Sequence, residues 1–176
     1  MRKRISATDH HLMRRINQWL PPRWFRWYML ASTRAGDFWI YIPAVLLLDR
    51  FGGPAGWPTL RACLVSGLTS SAICRIMKRA INRRRPSEIA AHCWATLLPP
   101  DKFAFPSLHT TIAFAVAVPV SLAYPHVALP VLFVAFSIGA SRIFLGMHYL
   151  SDVIVGLLLG AVLGAISFFV LGPGHW

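Results

Sequence analysis

"LSDVIVGLLLGAVLGAISFFVL", residues 150–171, carries one charged side chain, Asp152, near its start and none after it. A helix needs about 20 mostly apolar residues to cross the hydrocarbon of a bilayer. This stretch meets that length and predicts a transmembrane helix. Gly156, Gly160 and Gly164 recur every four residues. That spacing puts small residues on one face, which predicts close packing on another helix.

Upstream, apolar runs at 108–123 and 127–145 predict two more spans, with "YPH" at 124–126 between them. Pro119 and Pro130 lie inside or near these runs, where neighbouring helices re-satisfy the backbone groups that proline frees. Two further spans are expected at 59–77 and 37–51, separated by the turn "FGGPAGWP" at 51–58. The apolar core of 37–51 is shorter than the ~20 residues a bilayer asks for, so its ends must extend or snorkel. Before it, Leu12, Ile16, Trp19 and Leu20 share the apolar side of a segment that also carries Arg14, Arg15 and Gln18. Residues 9–20 are therefore expected to form an amphipathic helix in the head-group layer. Pro21 and Pro22 are expected to end it, with Trp24, Trp27 and Tyr28 as interfacial aromatics.

The composition agrees. The 176 residues are 56% hydrophobic and only 14% charged, with a formal net charge of +12. Mean hydropathy is +0.53. Such a basic excess in a soluble protein would suggest nucleic acid, but a polar face that interleaves basic and base-stacking residues is missing, so no nucleic acid partner is expected. Basic stretches between apolar runs point instead to anionic head groups or phosphate substrates. Cys63, Cys74 and Cys93 show no metal spacing and read as small apolar fillers. His10 and His11 read as solvated interfacial residues. The basic N-terminus lacks a signal-peptide core and cleavage site, so it is expected to stay on the mature protein. The fold expected is one all-α domain over 1–176. Residues 1–35 form an interfacial segment, and 36–176 form an integral-membrane bundle of five transmembrane helices, or six, with its site within 78–152.

Alternating spans bring four helix ends to one side of the membrane, and with them three polar clusters. Lys78 and Arg85 follow the second span, Ser107 and His109 open the third, and Arg142, His148 and Asp152 join the fourth to the fifth. Arginine forks and a lysine charge suit phosphate oxygens. Three converging cations with one carboxylate among them call for an anion. Ser107 opens a helix, where free N–H groups and the helix dipole add to that preference. His148 and Asp152 lie one turn apart, on one face. The carboxylate there can fix one imidazole nitrogen and leave the other as base or nucleophile. His109, from another helix, could protonate a leaving oxygen. Two imidazoles in a cationic cage suit phosphoryl transfer. The same cations oppose a divalent ion, so neither a metal nor another cofactor is expected.

"KRAINRRRP" (78–86), "PSLH" (106–109) and "SRIFLGMHYLSD" (141–152) resemble the three signatures of the type 2 phosphatidic acid phosphatase (PAP2) superfamily. These are K-x6-R-P, P-S-G-H and S-R-x5-H-x3-D, and the spacing within each matches without gaps. The resemblance implies metal-independent hydrolysis of a phosphorylated membrane lipid through a phosphohistidine. It makes His148 the nucleophile, Asp152 its orienting partner and His109 the general acid. Lys78, Arg85, Ser107 and Arg142 would hold the phosphate oxygens, together with the backbone N–H of Leu108. Two features depart from the pattern. Leu108 stands where the signature has glycine, which adds bulk at the mouth, and of the six spans common in the family the one preceding the interfacial helix is expected to be absent. The resemblance also implies a multi-pass protein of the bacterial inner membrane. The basic N-terminus assigns the site to the cytoplasmic face by the positive-inside rule, whereas bacterial relatives often face the periplasm. Two other readings use the same residues: a lipid phosphotransferase, and a non-enzymatic carrier or binder of anionic lipids, which would need the cations but not the His148–Asp152 pair.

Overall fold

α8 (Leu150–Leu171) has the limits the sequence suggests, and its glycines show how it packs. A side chain at Gly156 would meet the Ser107 carbonyl oxygen at 2.9 Å, and one at Gly164 would meet that of Ala115 at 3.0 Å. At Gly160 it would run into the backbone of Thr111. Three turns of α8 therefore lie directly on the backbone of α6 (Leu108–Ala123), a distance only glycine allows.

The computed structural model describes residues 2–19, 21–89 and 103–173, and the regular structure among them is all helical. α4 (Gly56–Ile81) packs against both α6 and α8. Pro119 deprives the Ala115 carbonyl of its donor one turn on. Ser66 of α4 supplies the replacement, its hydroxyl donating to that oxygen at 2.7 Å. α7 (Ala128–Phe144) covers another side of α6, with Ala135 and Ile138 against Ala113, Phe114 and Ala117. α3 (Phe38–Phe51) leans on α4. Its 14 residues span about 21 Å at ~1.5 Å per residue.

Cross-helix contacts fix the directions. Gly52, just after α3, accepts a hydrogen bond from Tyr124 just after α6, whereas Asp37 before α3 meets His109 in the first turn of α6. α3, α6 and α8 therefore run one way and α4 and α7 the other. The ends of α4 and α7 gather with the starts of α6 and α8.

Leu158, Val162, Ile166 and Phe169 of α8, with Leu129 and Phe133 of α7, point outward and are exposed. Bands of this kind suit lipid rather than water. Gly53–Glu88, Pro125–Phe144 and Leu150–Leu171 are long and apolar enough to cross a membrane, and Leu108–Ala123 is a shorter apolar helix. The protein is a multi-pass helical membrane bundle. Buried Cys63 and Cys74 are free thiols within it, whereas Cys93 lies outside the described residues.

The N-terminal segment holds two helices where one was expected. α1 (Arg2–Gln18) starts earlier than the apolar stripe suggests, and α2 (Arg23–Ala35) follows Pro22 directly. Pro22 is the N-cap of α2, so the proline pair both ends one helix and opens the next. α2 crosses the last two turns of α7. Phe25 packs edge-on against Phe144, Tyr28 bonds Ser137 at 2.6 Å, and Thr33 reaches Arg142. Trp24 and Trp27 stay exposed.

Candidate active site

At the end of α4, Asn82 takes a left-handed conformation (φ 50°, ψ 39°) and donates its N–H to the Lys78 carbonyl at 3.0 Å. Asparagine tolerates this geometry, which ends the helix and turns the chain. The turn leaves Lys78 buried in the last turn and leads into Arg83–Pro86. Arg85 is 1% exposed, with one guanidinium nitrogen 3.8 Å from the Met147 sulfur. The Ala104 N–H donates to the Arg83 carbonyl at 2.9 Å, which brings the chain back to the same place.

At the α7–α8 junction the N–H groups of Met147 and His148 both donate to the Arg142 carbonyl at 3.0 Å. Gly146 sits at φ 67°, a conformation glycine takes without strain. This tight loop carries His148 back beneath Arg142. α8 then begins with Asp152 in its third position, where one carboxylate oxygen accepts from the Tyr149 N–H at 2.9 Å.

His148 is almost fully enclosed, and its Nδ1 lies 2.6 Å from the Ala104 carbonyl oxygen. A carbonyl can only accept, so Nδ1 carries the proton and Nε2 keeps the lone pair. Asp152 stands 3.7 Å from the same nitrogen, close but outside hydrogen-bond range. The immediate holder of the imidazole is thus a main-chain oxygen, with Asp152 beside it. Burial first, then the charges of Arg142, Arg85 and Lys78, hold His148 well below the ordinary imidazole range. The three cations named from sequence therefore converge on one neutral ring.

Ser107 is the N-cap of α6. Its N–H donates to the Asp152 main-chain oxygen at 3.1 Å and its hydroxyl accepts from Thr110 at 2.9 Å. Leu108 opens the helix behind it. His109 is part-exposed, its Nε2 3.2 Å from an Asp37 carboxylate oxygen in the α2–α3 turn. Gly36 makes that approach possible, because a side chain there would meet both His109 and Ile138 at 2.9 Å. Arg142 is buried and donates to the Thr33 hydroxyl at 2.5 Å. The structure thus gathers Lys78, Arg85, Ser107, Leu108, His109, Arg142, His148 and Asp152 at one end of the bundle.

It also adds partners that sequence reasoning missed. Asp37 and Thr33 come from α2 and its C-terminal turn. Arg83, inside the first signature but unspecified by it, donates to Asp152 at 2.6 Å and to Asp9 of α1 at 2.7 Å. His10, read as solvated, stacks edge-on against Tyr149 at 5.3 Å. Of these, Arg83 lay inside a signature, whereas Asp9, His10 and Asp37 lay in stretches read only as interfacial or membrane-spanning. Charged residues beside apolar runs were the one available signal for Asp9 and Asp37.

A protein-family model described as the PAP2 superfamily matches residues 59–173. Among named relatives, a decaprenylphosphoryl-5-phosphoribose phosphatase of Mycobacterium tuberculosis is 37% identical over 142 residues, covering 78% of each chain. A lipid A 1-phosphatase of Rhizobium johnstonii is 30% identical over 174 residues, covering 82% of this chain and 70% of that one. The crystal structure of LpxE from Aquifex aeolicus superposes with a TM-score of 0.80 at 26% identity, over 90% of this chain and 93% of that one. The chain belongs to the PAP2 superfamily. It is a membrane lipid phosphatase of that type, a phosphoric monoester hydrolase.

Proposed function

We propose that this PAP2 superfamily member hydrolyses the phosphate of a membrane lipid through a covalent intermediate on His148, without a metal ion. The convergence of Lys78, Arg85 and Arg142 on a buried imidazole whose Nδ1 is tied to Ala104 carries the reading. Nε2 attacks phosphorus in line as the bond from phosphorus to the lipid oxygen breaks. His109 gives its proton to that oxygen, and the lipid alcohol leaves, or the lipid monophosphate where the substrate is a diphosphate. Water, deprotonated by His109, then attacks the phosphohistidine. Inorganic phosphate departs and both imidazoles return to their starting state. Lys78, Arg85, Arg142, the Ser107 hydroxyl and the Leu108 N–H hold the phosphate oxygens. Asp152 stabilises the charge that the ring gains on phosphorylation, and Asp37 orients His109.

An apolar cavity of about 500 Å³ lies between α3, α6 and α7. It begins at Ala35 and Ile138, beside Gly36 and His109, and follows Ala113, Val116, Ala117 and Val120 down α6. This position supports a substrate with a hydrocarbon chain, entering sideways from the bilayer with its phosphate toward His148. The lipid is a polyprenyl (di)phosphate, phosphatidylglycerol phosphate, phosphatidate or a lipid A phosphate. Relatives named for acting on such lipids support that group.

On this reading the chain is one domain with five spans (α3, α4, α6, α7 and α8) in a bacterial inner membrane. Arg23, Arg26, Arg34, Arg79 and Arg84 lie near the site end, so that end faces the cytoplasm. A panel of the four lipid classes, assayed for released phosphate with EDTA present, tests the activity. Release that requires added divalent metal, or full release by His148→Ala, would overturn the mechanism. Labelling of single cysteines at the two termini from either side of the membrane tests the orientation, and an extracytoplasmic N-terminus would reverse it.

A further inference from the structure

Asp9 of α1 is buried, whereas its neighbours Thr8 and His11 and the following Arg14 and Arg15 are exposed. One of its carboxylate oxygens accepts from Arg83 at 2.7 Å and from the Ser151 hydroxyl at 2.5 Å. The other accepts from the Ser151 N–H at 3.2 Å. The other arm of Arg83 donates to Asp152 at 2.6 Å and to the Ser151 hydroxyl at 2.7 Å. Its guanidinium also lies 4.1 Å above the Tyr149 ring. Asp9, Arg83 and Asp152 thus form one line of alternating charge that ends beside His148.

We propose that Asp9 and Arg83 are positioning residues for the reaction, α1 being the part of the protein that sets the charge Asp152 presents to His148. The inference rests on the reading of His148 as nucleophile. Arg83 alone would cancel the Asp152 carboxylate and leave the phosphorylated ring without its counter-charge. Asp9 cancels Arg83 in turn, so the trio keeps one net negative charge while Arg83 holds the Asp152 geometry. Buried networks of this kind couple strongly, because little water screens them.

The other charges around His148 are accounted for by element. Lys78 comes from α4 and Arg85 from the loop after it. Arg142 comes from α7, and His109 from α6 with its partner Asp37. His10 of α1 stacks edge-on against Tyr149, and the charge of Glu88 in α5 (Pro86–Ile89) acts on the same Tyr149. None of these changes in the variants below.

The signature is a pair of opposite shifts. Asp9→Asn leaves Arg83 uncompensated, so His148 binds a proton less readily and the acid limb of kcat/KM moves to lower pH. Arg83→Gln removes a cation and moves that limb to higher pH. In the double variant Asp152 alone remains, again one negative charge, and the limb returns toward wild type. Each single shift should be at least about 0.5 pH unit, with kcat reduced more than KM is raised. Phosphatidate in mixed detergent micelles is the probe, with monodisperse wild type, the three variants, Asp9→Glu and His148→Ala compared. Asp9→Glu should keep the wild-type limb, which a purely steric role for Asp9 would not predict. Equal limbs in all variants, or single shifts in the same direction, would overturn the proposal while an inactive His148→Ala leaves the nucleophile reading standing. Turnover by His148→Ala would overturn both.

Discussion

The two site imidazoles are held in opposite ways. His148 sits in a dry frame made by a tight loop, a main-chain carbonyl and the first turn of α8, with its side chain 2% exposed. His109 stands at the mouth, its side chain 28% exposed, against a carboxylate that is itself one-third exposed. A nucleophile benefits from fixed direction and a lone pair kept free of protons. A group that shuttles protons benefits from water and from a partner that tolerates both of its states. Under the proposed mechanism the two surroundings suit these two different roles. His109 takes its carboxylate partner, Asp37, from the N-terminal quarter of the chain, whereas His148 is framed by Lys78, Arg85 and Ala104 as well as by Arg142 and Asp152 of its own motif.

That contrast can be broken by substitution. His109→Ala should lower kcat by about 10²–10⁴-fold on a lipid phosphate, the usual range for losing a general acid. The loss should shrink on p-nitrophenyl phosphate, whose leaving group needs no proton. An equal loss on both substrates would give His109 another role. Asp37→Asn acts through His109 and should cost about tenfold, scaled on what other orienting partners contribute. Its loss, too, should fade with the activated substrate.

The enclosure of His148 also sets its pH dependence. His148 is held well below 6.5, so the free enzyme should keep its nucleophile neutral as pH falls through that value. The acid limb of kcat/KM should lie below it. Stability follows the same sign. Below about 6.5 the unfolded imidazole takes up a proton that the folded one refuses. His148 therefore costs no stability above that pH and destabilises the fold progressively as pH falls toward its own depressed value.

Smaller effects are expected in the frame that carries His148. Gly160→Val would force α8 off the Thr111 backbone and destabilise the bundle by about 1–3 kcal/mol, read as a lower midpoint of thermal unfolding in detergent. Ser66→Ala leaves the carbonyl freed by Pro119 without its donor. It should cost only about 0.6 kcal/mol, typical of an interhelical hydrogen bond in a membrane protein.

Much of this was legible in the sequence, for physical reasons. The α6 and α8 limits follow from apolar runs, which lipid makes obligatory, and the glycine stripe named the packed face. The site cations and histidines were visible because charge beside hydrocarbon is costly. Ala104 was not, since any residue offers a carbonyl and only the tertiary fold aims it. Asp9 and Asp37 drew no reading from the sequence, because only the fold of α1 and α2 over the site gives them partners. α2 itself was hidden by Pro21 and Pro22, which read as a stop although proline also starts helices.

The central claim is a phosphoryl group carried on His148 Nε2. Mixing the enzyme with a ³²P-labelled lipid phosphate, quenching in alkali within one turnover, and mapping the labelled peptide tests it most directly. The account predicts alkali-stable, acid-labile label on the peptide containing His148, and none in His148→Ala. Label on another residue, or steady turnover by wild type with no labelled protein at any time point, would contradict it.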